Sequence, residues 1–273
     1  MELDGKVAIV TGASRGVGAA TALMLAERGC KVVCAARATD AAPAPIPGTI
    51  DETVRKITDA GGTALAVPTD LAKDAEVEHM IAAAAERFGP VDLLVNNAAI
   101  TFPGDLDLDM KRFDLVMQVD LRAPLIAVRA VMPSMKARRT GTILNISSIA
   151  GLNYFPGLMA YGMAKAALEH LTVSAAHQLR PFDVAVNTFR IDVPVASEGF
   201  VFNLPDADHS DWEPSEVAAE GIVWMLEQPP AYTGHNVGMA RLRADQNIMP
   251  SRARRPHAQQ PALVTDTHLK PLE

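Results

Sequence analysis

A chain of 273 residues is long enough to bury a complete core as one large domain, and nothing in its length requires a second. With 49% hydrophobic and 21% charged residues it has an ordinary globular composition, and a formal net charge of −7 argues against nucleic acid or an anionic membrane as a partner. No apolar run approaches a bilayer span, and the opening MELDGKVAIVTG goes from acids directly into a strand rather than reading as a signal peptide, so a soluble cytoplasmic protein is expected.

Residues 6–11, KVAIVT, form a short β-branched run of the kind that makes a strand buried on both faces. The run enters TGASRGVG and then the helical AATALMLAERG. Strand, glycine-rich turn and helix together make a phosphate site, because backbone N–H groups can approach a pyrophosphate at the positive end of the helix. Gly12, Ser14, Arg15, Gly16, Val17 and Gly18 are the candidates for that contact.

Residues 31–36, KVVCAA, read as a second buried strand. A dinucleotide's ribose 2′-hydroxyl calls for an acid near this strand's end, whereas a 2′-phosphate suits arginine. The strand ends at Arg37 with no acid until Asp40, and Arg15 lies in the glycine turn, so NADP is expected ahead of NAD. Cys30 and Cys34 lie four apart around this strand, pointing to one side and too far apart to bridge; small buried hydrophobes are the expectation.

The Pro- and Ala-rich residues 38–49 read as an inserted loop before a helix starting near Ile50. A strand over 63–68 leads to Asp70 and Leu71, where a carboxylate can accept from an adenine amino group, and Asp74 reads as the cap of a helix running to Phe88. Residues 92–95 make a fourth strand, followed by Asn96, Asn97, Ala98 and Ala99, whose small and amide side chains let a flat ligand pass close. Asp105, Asp107 and Asp109 have no clustered His or Cys beside them, so a solvated loop with Asp109 as helix cap is expected and no metal.

Residues 142–148, TILNISS, form a strand ending at two serines, and the proline-free, Ala-rich run over 160–179 is a helix. Tyr161 and Lys165, four apart, share a face of that helix. An ammonium beside a phenol favours the phenolate, making tyrosine a usable acid or base, and a strand-end serine such as Ser148 can hold the same substrate oxygen. His170 and His177, seven apart on the same helix, have no third ligand and read as packing or interface residues. A sixth strand covers 184–189, and about 193–212 reads as a flap over the substrate with Phe200, Phe202 and Leu204 as its apolar lining. Pro214 stands at a helix start, 235–240 can supply a last strand, and 241–273 is expected to be an irregular basic tail.

Taken together, these motifs resemble the short-chain dehydrogenase/reductase family over roughly residues 3–240. TGASRGVG resembles the family's glycine motif, Asn96–Ala99 its Asn-Asn-Ala-Gly with Ala99 for the glycine, and Ser148 with Tyr161 and Lys165 its catalytic serine and Tyr-x-x-x-Lys. The resemblance implies a single α/β domain with a Rossmann-like, doubly wound parallel sheet. It also implies hydride transfer between a nicotinamide and a carbonyl or alcohol, a small-molecule substrate, and a homodimer or homotetramer built on helices at about 109–136 and 157–180. By the same resemblance, Asp120 stands where the family commonly has a relay asparagine, and Arg190, Ile191 and Asp192 stand where it usually has Pro-Gly, leaving Ile191 and Ser197 as cofactor contacts. These departures keep open a cofactor-binding scaffold with weak turnover; a third reading keeps the fold but makes the reaction an epimerisation or dehydration that recycles the nicotinamide internally.

Overall fold

The computed structural model describes residues 2–255; the part of the expected basic tail at 256–273 lies outside the described residues. Seven parallel strands form one sheet in the order β3-β2-β1-β4-β5-β6-β7. They are β1 (Val7–Thr11), β2 (Lys31–Ala36), β3 (Thr63–Pro68), β4 (Leu93–Asn96), β5 (Gly141–Ser148), β6 (Val184–Ile191) and β7 (Asn236–Gly238). The order reverses between β1 and β4, and there the loops leaving the two strands part to open a crevice at the carboxyl edge.

Burial on both faces explains the unbroken apolar runs. In β1, Ala8 and Val10 join the core on one face while Val7 and Ile9 join the core on the other. The first face is covered by α1 (Gly16–Glu27), α2 (Ile50–Asp59) and α8 (Ser215–Leu226). The second is covered by α3 (Asp74–Phe88), α5 (Ala123–Arg138) and α6 (Met159–Leu179). Cys30 and Cys34 lie in the first core as free thiols, each pushed up to about 12, chiefly by burial.

Several expectations need correction. Asp74 is not a cap; Lys73 holds the cap position, and Asp74, first in the helix, accepts from Gln118 Nε2 at 2.8 Å and pairs with Arg122. The long helix expected from 109 is three segments: α4 (Met110–Met117) capped by Asp109, a π-helical turn over Gln118–Arg122, and α5. Strand β6 continues through Arg190 and Ile191, two residues past its expected end, because both pair with Ser147 and Ser148 of β5. Where an irregular tail was expected, α9 (Met239–Gln246) follows β7 directly.

Helix α9 and the chain after it fold back on the flap and its base. Arg252 N–H and Arg243 Nη2 both donate to the fully buried Glu213 at 2.8 Å, and Arg255 N–H donates to the Ser210 carbonyl at 2.9 Å. The flap carries the short helix α7 (Glu198–Asn203), capped by Ser197. Of its expected apolar lining, Phe200 stacks on Trp212 at 4.6 Å between ring centroids, and Phe200, Phe202 and Leu204 are all exposed.

Candidate active site

The nucleotide end of the crevice is built from backbone. Gly12 turns the chain at φ +69°, and a Cβ there would stand 2.9 Å from Ala98 Cα and from Asn97 Nδ2. Any Cβ on Gly18 would overlap the Gly12 carbonyl oxygen. Glycine is therefore required for the turn to close against the loop after β4. Thr11, missed by sequence reasoning, ties that loop down: its hydroxyl accepts from Asn97 N–H at 3.0 Å and Ala98 N–H at 3.1 Å, while Asn97 Nδ2 donates to the Thr11 carbonyl at 2.8 Å. Ala99 is exposed beyond this anchor, whereas Ser14 and Val17 are buried within the turn.

Helix α1 begins at this turn without a side-chain cap, so its leading N–H groups and positive dipole end suit a phosphate. Arg37 is exposed just past the end of β2. Arg15 is more committed: its guanidinium donates to the carbonyls of Ile46 and Pro47 at 2.8 Å and of Gly48 at 3.0 Å, tying the inserted loop to the turn. Burial holds Arg15 below its usual range, with Glu198 opposing and Arg37 adding to that effect, so all three charges lie within reach of one another. Asp70 accepts from Ala72 N–H at 3.1 Å in its own turn, and Leu71 is buried beside it. Glycine turn and uncapped helix fit the pyrophosphate of a dinucleotide.

The other end of the cleft is built from side chains. Ser148 ends β5, its hydroxyl accepting from Ala150 N–H at 3.2 Å and lying near enough to the Tyr161 phenol to pull its titration down. Lys165 lies one turn along α6 with its Nζ 5.4 Å from the centre of the Tyr161 ring; it is 2% exposed and donates to the Ile146 carbonyl at 3.0 Å. Ile191 pairs in register with Ser148, so the ends of β5 and β6 lie side by side. Ser197 caps α7 and covers the glycine turn, its Cβ 2.9 Å from where a Gly16 Cβ would stand.

The π-helical turn puts Asp120 into the same space, wholly buried. Its Oδ1 accepts from Ile100 N–H at 2.9 Å, and its buried Oδ2 has no hydrogen-bond partner among the described residues. Burial pushes Asp120 up to about 7, against the pull of the Lys165 charge and the Ile100 N–H. Burial likewise holds Lys165 below its usual range, with Asp120 and Glu169 working the other way. For Tyr161 the outcome is the reverse of the expected lowering. Burial and the Asp120 charge together raise the phenol, and the nearby Ser148 hydroxyl offsets only part of that.

Sequence reasoning also missed a buried ion pair behind the lysine. Glu169, one further turn along α6, accepts from Arg190 Nε at 2.8 Å and Nη2 at 2.7 Å, in the two-pronged geometry that guanidinium and carboxylate favour. The signal in the sequence was the period of α6, which places Tyr161, Lys165 and Glu169 on one face. Ser148, Tyr161, Lys165 and Asp120 thus come together at one end of the cleft, and Arg15 and Arg37 at the other. His170 and His177 are both exposed, and no group of three potential metal ligands occurs among the described residues. Nor is any described helix long and apolar enough to cross a membrane.

Comparison with known proteins agrees with this geometry. The family model for short chain dehydrogenases matches residues 6–192. Mouse hydroxysteroid dehydrogenase-like protein 2 is 31% identical over 251 residues, covering 91% of this chain and 50% of the mouse protein. This chain therefore spans about half the length of the first curated relatives it matches. A 3-oxoacyl-[acyl-carrier-protein] reductase from Synechocystis is 39% identical over 188 residues, 68% of this chain and 72% of its own. Among solved structures, a metagenomic short-chain oxidoreductase in complex with NADP superposes with a TM-score of 0.73 at 30% identity, covering 87% of this chain and 97% of its own. A Xanthomonas campestris protein superposes with a TM-score of 0.84 at 28% identity, over 97% and 100% of the two chains. With the sheet order, the glycine turn and the Ser-Tyr-Lys grouping in place, the chain belongs to the short-chain dehydrogenase/reductase family of oxidoreductases.

Proposed function

We propose that this chain is an NADP(H)-dependent oxidoreductase acting on a carbonyl or secondary alcohol. The observation that carries the reading is Lys165, buried one turn along α6 with its Nζ 5.4 Å from the centre of the Tyr161 ring, beside Ser148 at the carboxyl edge of the sheet. Residues 1–240 act as one catalytic domain, with 193–212 as the flap closing over substrate.

When bound, the nicotinamide supplies or accepts the hydride. Gly12, Ser14, Gly16, Val17 and Gly18 cradle the pyrophosphate at the start of α1, and Arg37, with Arg15 beside it, takes the 2′-phosphate. Asp70 and Leu71 border the adenine, and Asn97, Ala98, Ala99, Ile191 and Ser197 border the nicotinamide side. In reduction, Tyr161 Oη gives its proton to the oxygen of the forming alcohol while the Ser148 hydroxyl holds that oxygen in place. Lys165 presents its charge beneath the ring and anchors the nicotinamide ribose, and Asp120 stands behind the lysine.

The NADP complex of the metagenomic relative supports the cofactor class, and the Synechocystis reductase supports chemistry at a carbonyl. The physical argument for preferring the phosphorylated cofactor is the exposed guanidinium of Arg37 where an acid would otherwise meet a 2′-hydroxyl. Fluorescence titration with NADPH and NADH tests this. Tighter binding of NADPH, by about tenfold or more, is expected for one added guanidinium–phosphate contact. Equal affinities would remove the preference, and failure to bind either nucleotide would remove the oxidoreductase reading altogether.

A further inference from the structure

Glu213 is a carboxylate with no exposure to water, at the base of the flap. A buried charge is tolerated only where donors replace its hydration, and both of its oxygens are met from the far end of the chain. Oε1 accepts from Arg243 Nη2 of α9 and Oε2 from Arg252 N–H, each at 2.8 Å. The segment that carries Arg252 is itself firmly seated. Met249 is buried in the core, so close to α8 that Gly221 has no room for a Cβ, and the Arg252 side chain pairs with Glu220. Arg255 extends the same hold to the outer flap, its N–H donating to the Ser210 carbonyl at 2.9 Å and its guanidinium pairing with Asp208. Glu213, Arg243, Arg252 and Arg255 all lie beyond residues 6–192, the stretch that the family model matches.

The backbone of Glu213 faces the other way, into the flap. Its N–H donates to the Pro194 carbonyl at 2.9 Å and its carbonyl accepts from Ala196 N–H at 2.8 Å, a bridge that closes the flap at its neck. The next residue, Ser197, caps α7 against the glycine turn: a Cβ on Gly16 would stand 2.9 Å from Ser197 Cβ and 3.3 Å from Glu198 Oε2. An unbroken series of contacts therefore runs from α9 through Glu213 and the bridge to the turn at the head of α1. Two backbone hydrogen bonds of modest net strength are little to set against the entropy of closing the loop from Ser197 to Trp212. Charge-assisted bonds to a carboxylate that water cannot reach are harder to exchange. We propose that Glu213 is a positioning residue for the cofactor: clasped by Arg243 and Arg252, it holds the neck of the flap so that Ser197 and α7 stay seated on the glycine turn and slow the nucleotide's escape. This rests on the reading of that turn as the nucleotide site. Glu213 acts beneath the flap and not at the 2′-phosphate, so it holds NADPH and NADH alike.

The test compares the full-length wild type with Glu213→Gln, which keeps the shape and gives up the charge and one acceptor. In stopped-flow fluorescence, NADPH and NADH should each leave the variant about tenfold faster than the wild type, by the same factor, as expected for one lost charge-assisted hydrogen bond. In hydrogen exchange on the free proteins, the amides of 196–204 should open about tenfold more often in the variant, with those of β1 and β5 unchanged. Faster exchange throughout the chain, or in the flap with nucleotide release unchanged, would mean that Glu213 supports the fold without holding the cofactor, and overturns the proposal. So does faster release of NADPH alone. Arg255→Ala alters only the exposed tie to Asp208 and Ser210 and decides the matter if Glu213→Gln does not fold. Both nucleotides should leave it about threefold faster, and unchanged release again overturns the proposal. If the wild type binds neither nucleotide, the nucleotide reading falls and the role given to Glu213 falls with it, while exchange in the free proteins separately reports whether Glu213 holds the flap.

Discussion

The two ends of the cleft keep their charges in opposite ways. At the nucleotide end Arg37 is exposed and Arg15 donates to three backbone carbonyls, so the charges there sit partly in water and are screened by it. At the catalytic end Asp120, Lys165, Glu169 and Arg190 are each 5% exposed or less. Buried charges feel each other strongly and cannot exchange one partner for solvent. The nucleotide end should therefore respond to substitution with graded losses of affinity, and the catalytic end with losses of stability, of proton transfer, or of both.

The largest stability effect should come from the catalytic end. Replacing Arg190 with methionine leaves Glu169 as an uncompensated buried carboxylate beside Lys165, and chemical denaturation should show a loss of about 3–5 kcal/mol. A loss below about 1 kcal/mol would mean that water reaches Glu169 and that the contrast between the two ends is overstated. At the nucleotide end, Arg37→Ser should weaken NADPH binding by about tenfold, leave NADH binding nearly unchanged and barely alter stability. An equal loss for both nucleotides would place Arg37 away from the 2′-phosphate. The smallest effect should be that of Thr49→Ala. It removes the hydroxyl that accepts from Glu52 N–H at 3.0 Å at the start of α2 and should cost about 1 kcal/mol in thermal or chemical unfolding.

The same contrast explains how much of the molecule was legible in its sequence. The strands, the glycine turn and the serine, tyrosine and lysine were readable because each depends on local pattern: β-branched runs, glycines between strand and helix, and a four-residue spacing on one helix. The Glu169–Arg190 pair was not, because its partners lie on a helix and a strand, and only the packing of α6 against β6 brings them together. Burial made the difference for Tyr161 as well. Spacing places a lysine one turn away, but whether the phenol is lowered depends on desolvation and on Asp120, which arrives from another helix through a π-turn that no local motif announces. Arg15 looked free to meet a phosphate because its sequence neighbourhood does not show that the inserted loop folds back to offer three carbonyls. The tail misled for a related reason. Its arginines look like a basic surface segment until Glu213, buried at the base of the flap, accepts from Arg243 and from the Arg252 N–H.

The most direct test of the account is single-turnover reduction of a ketone panel with saturating NADPH by the wild type and Tyr161→Phe. Removing the phenol takes away the only proton donor assigned to the substrate oxygen while leaving the glycine turn and Arg37 intact. The account predicts unchanged NADPH affinity and a fall in the hydride-transfer rate of about 10²- to 10⁴-fold. Equal rates for the two proteins, or NADPH binding with no reduction by either, would contradict the central claim that Tyr161 is the acid of a carbonyl reductase.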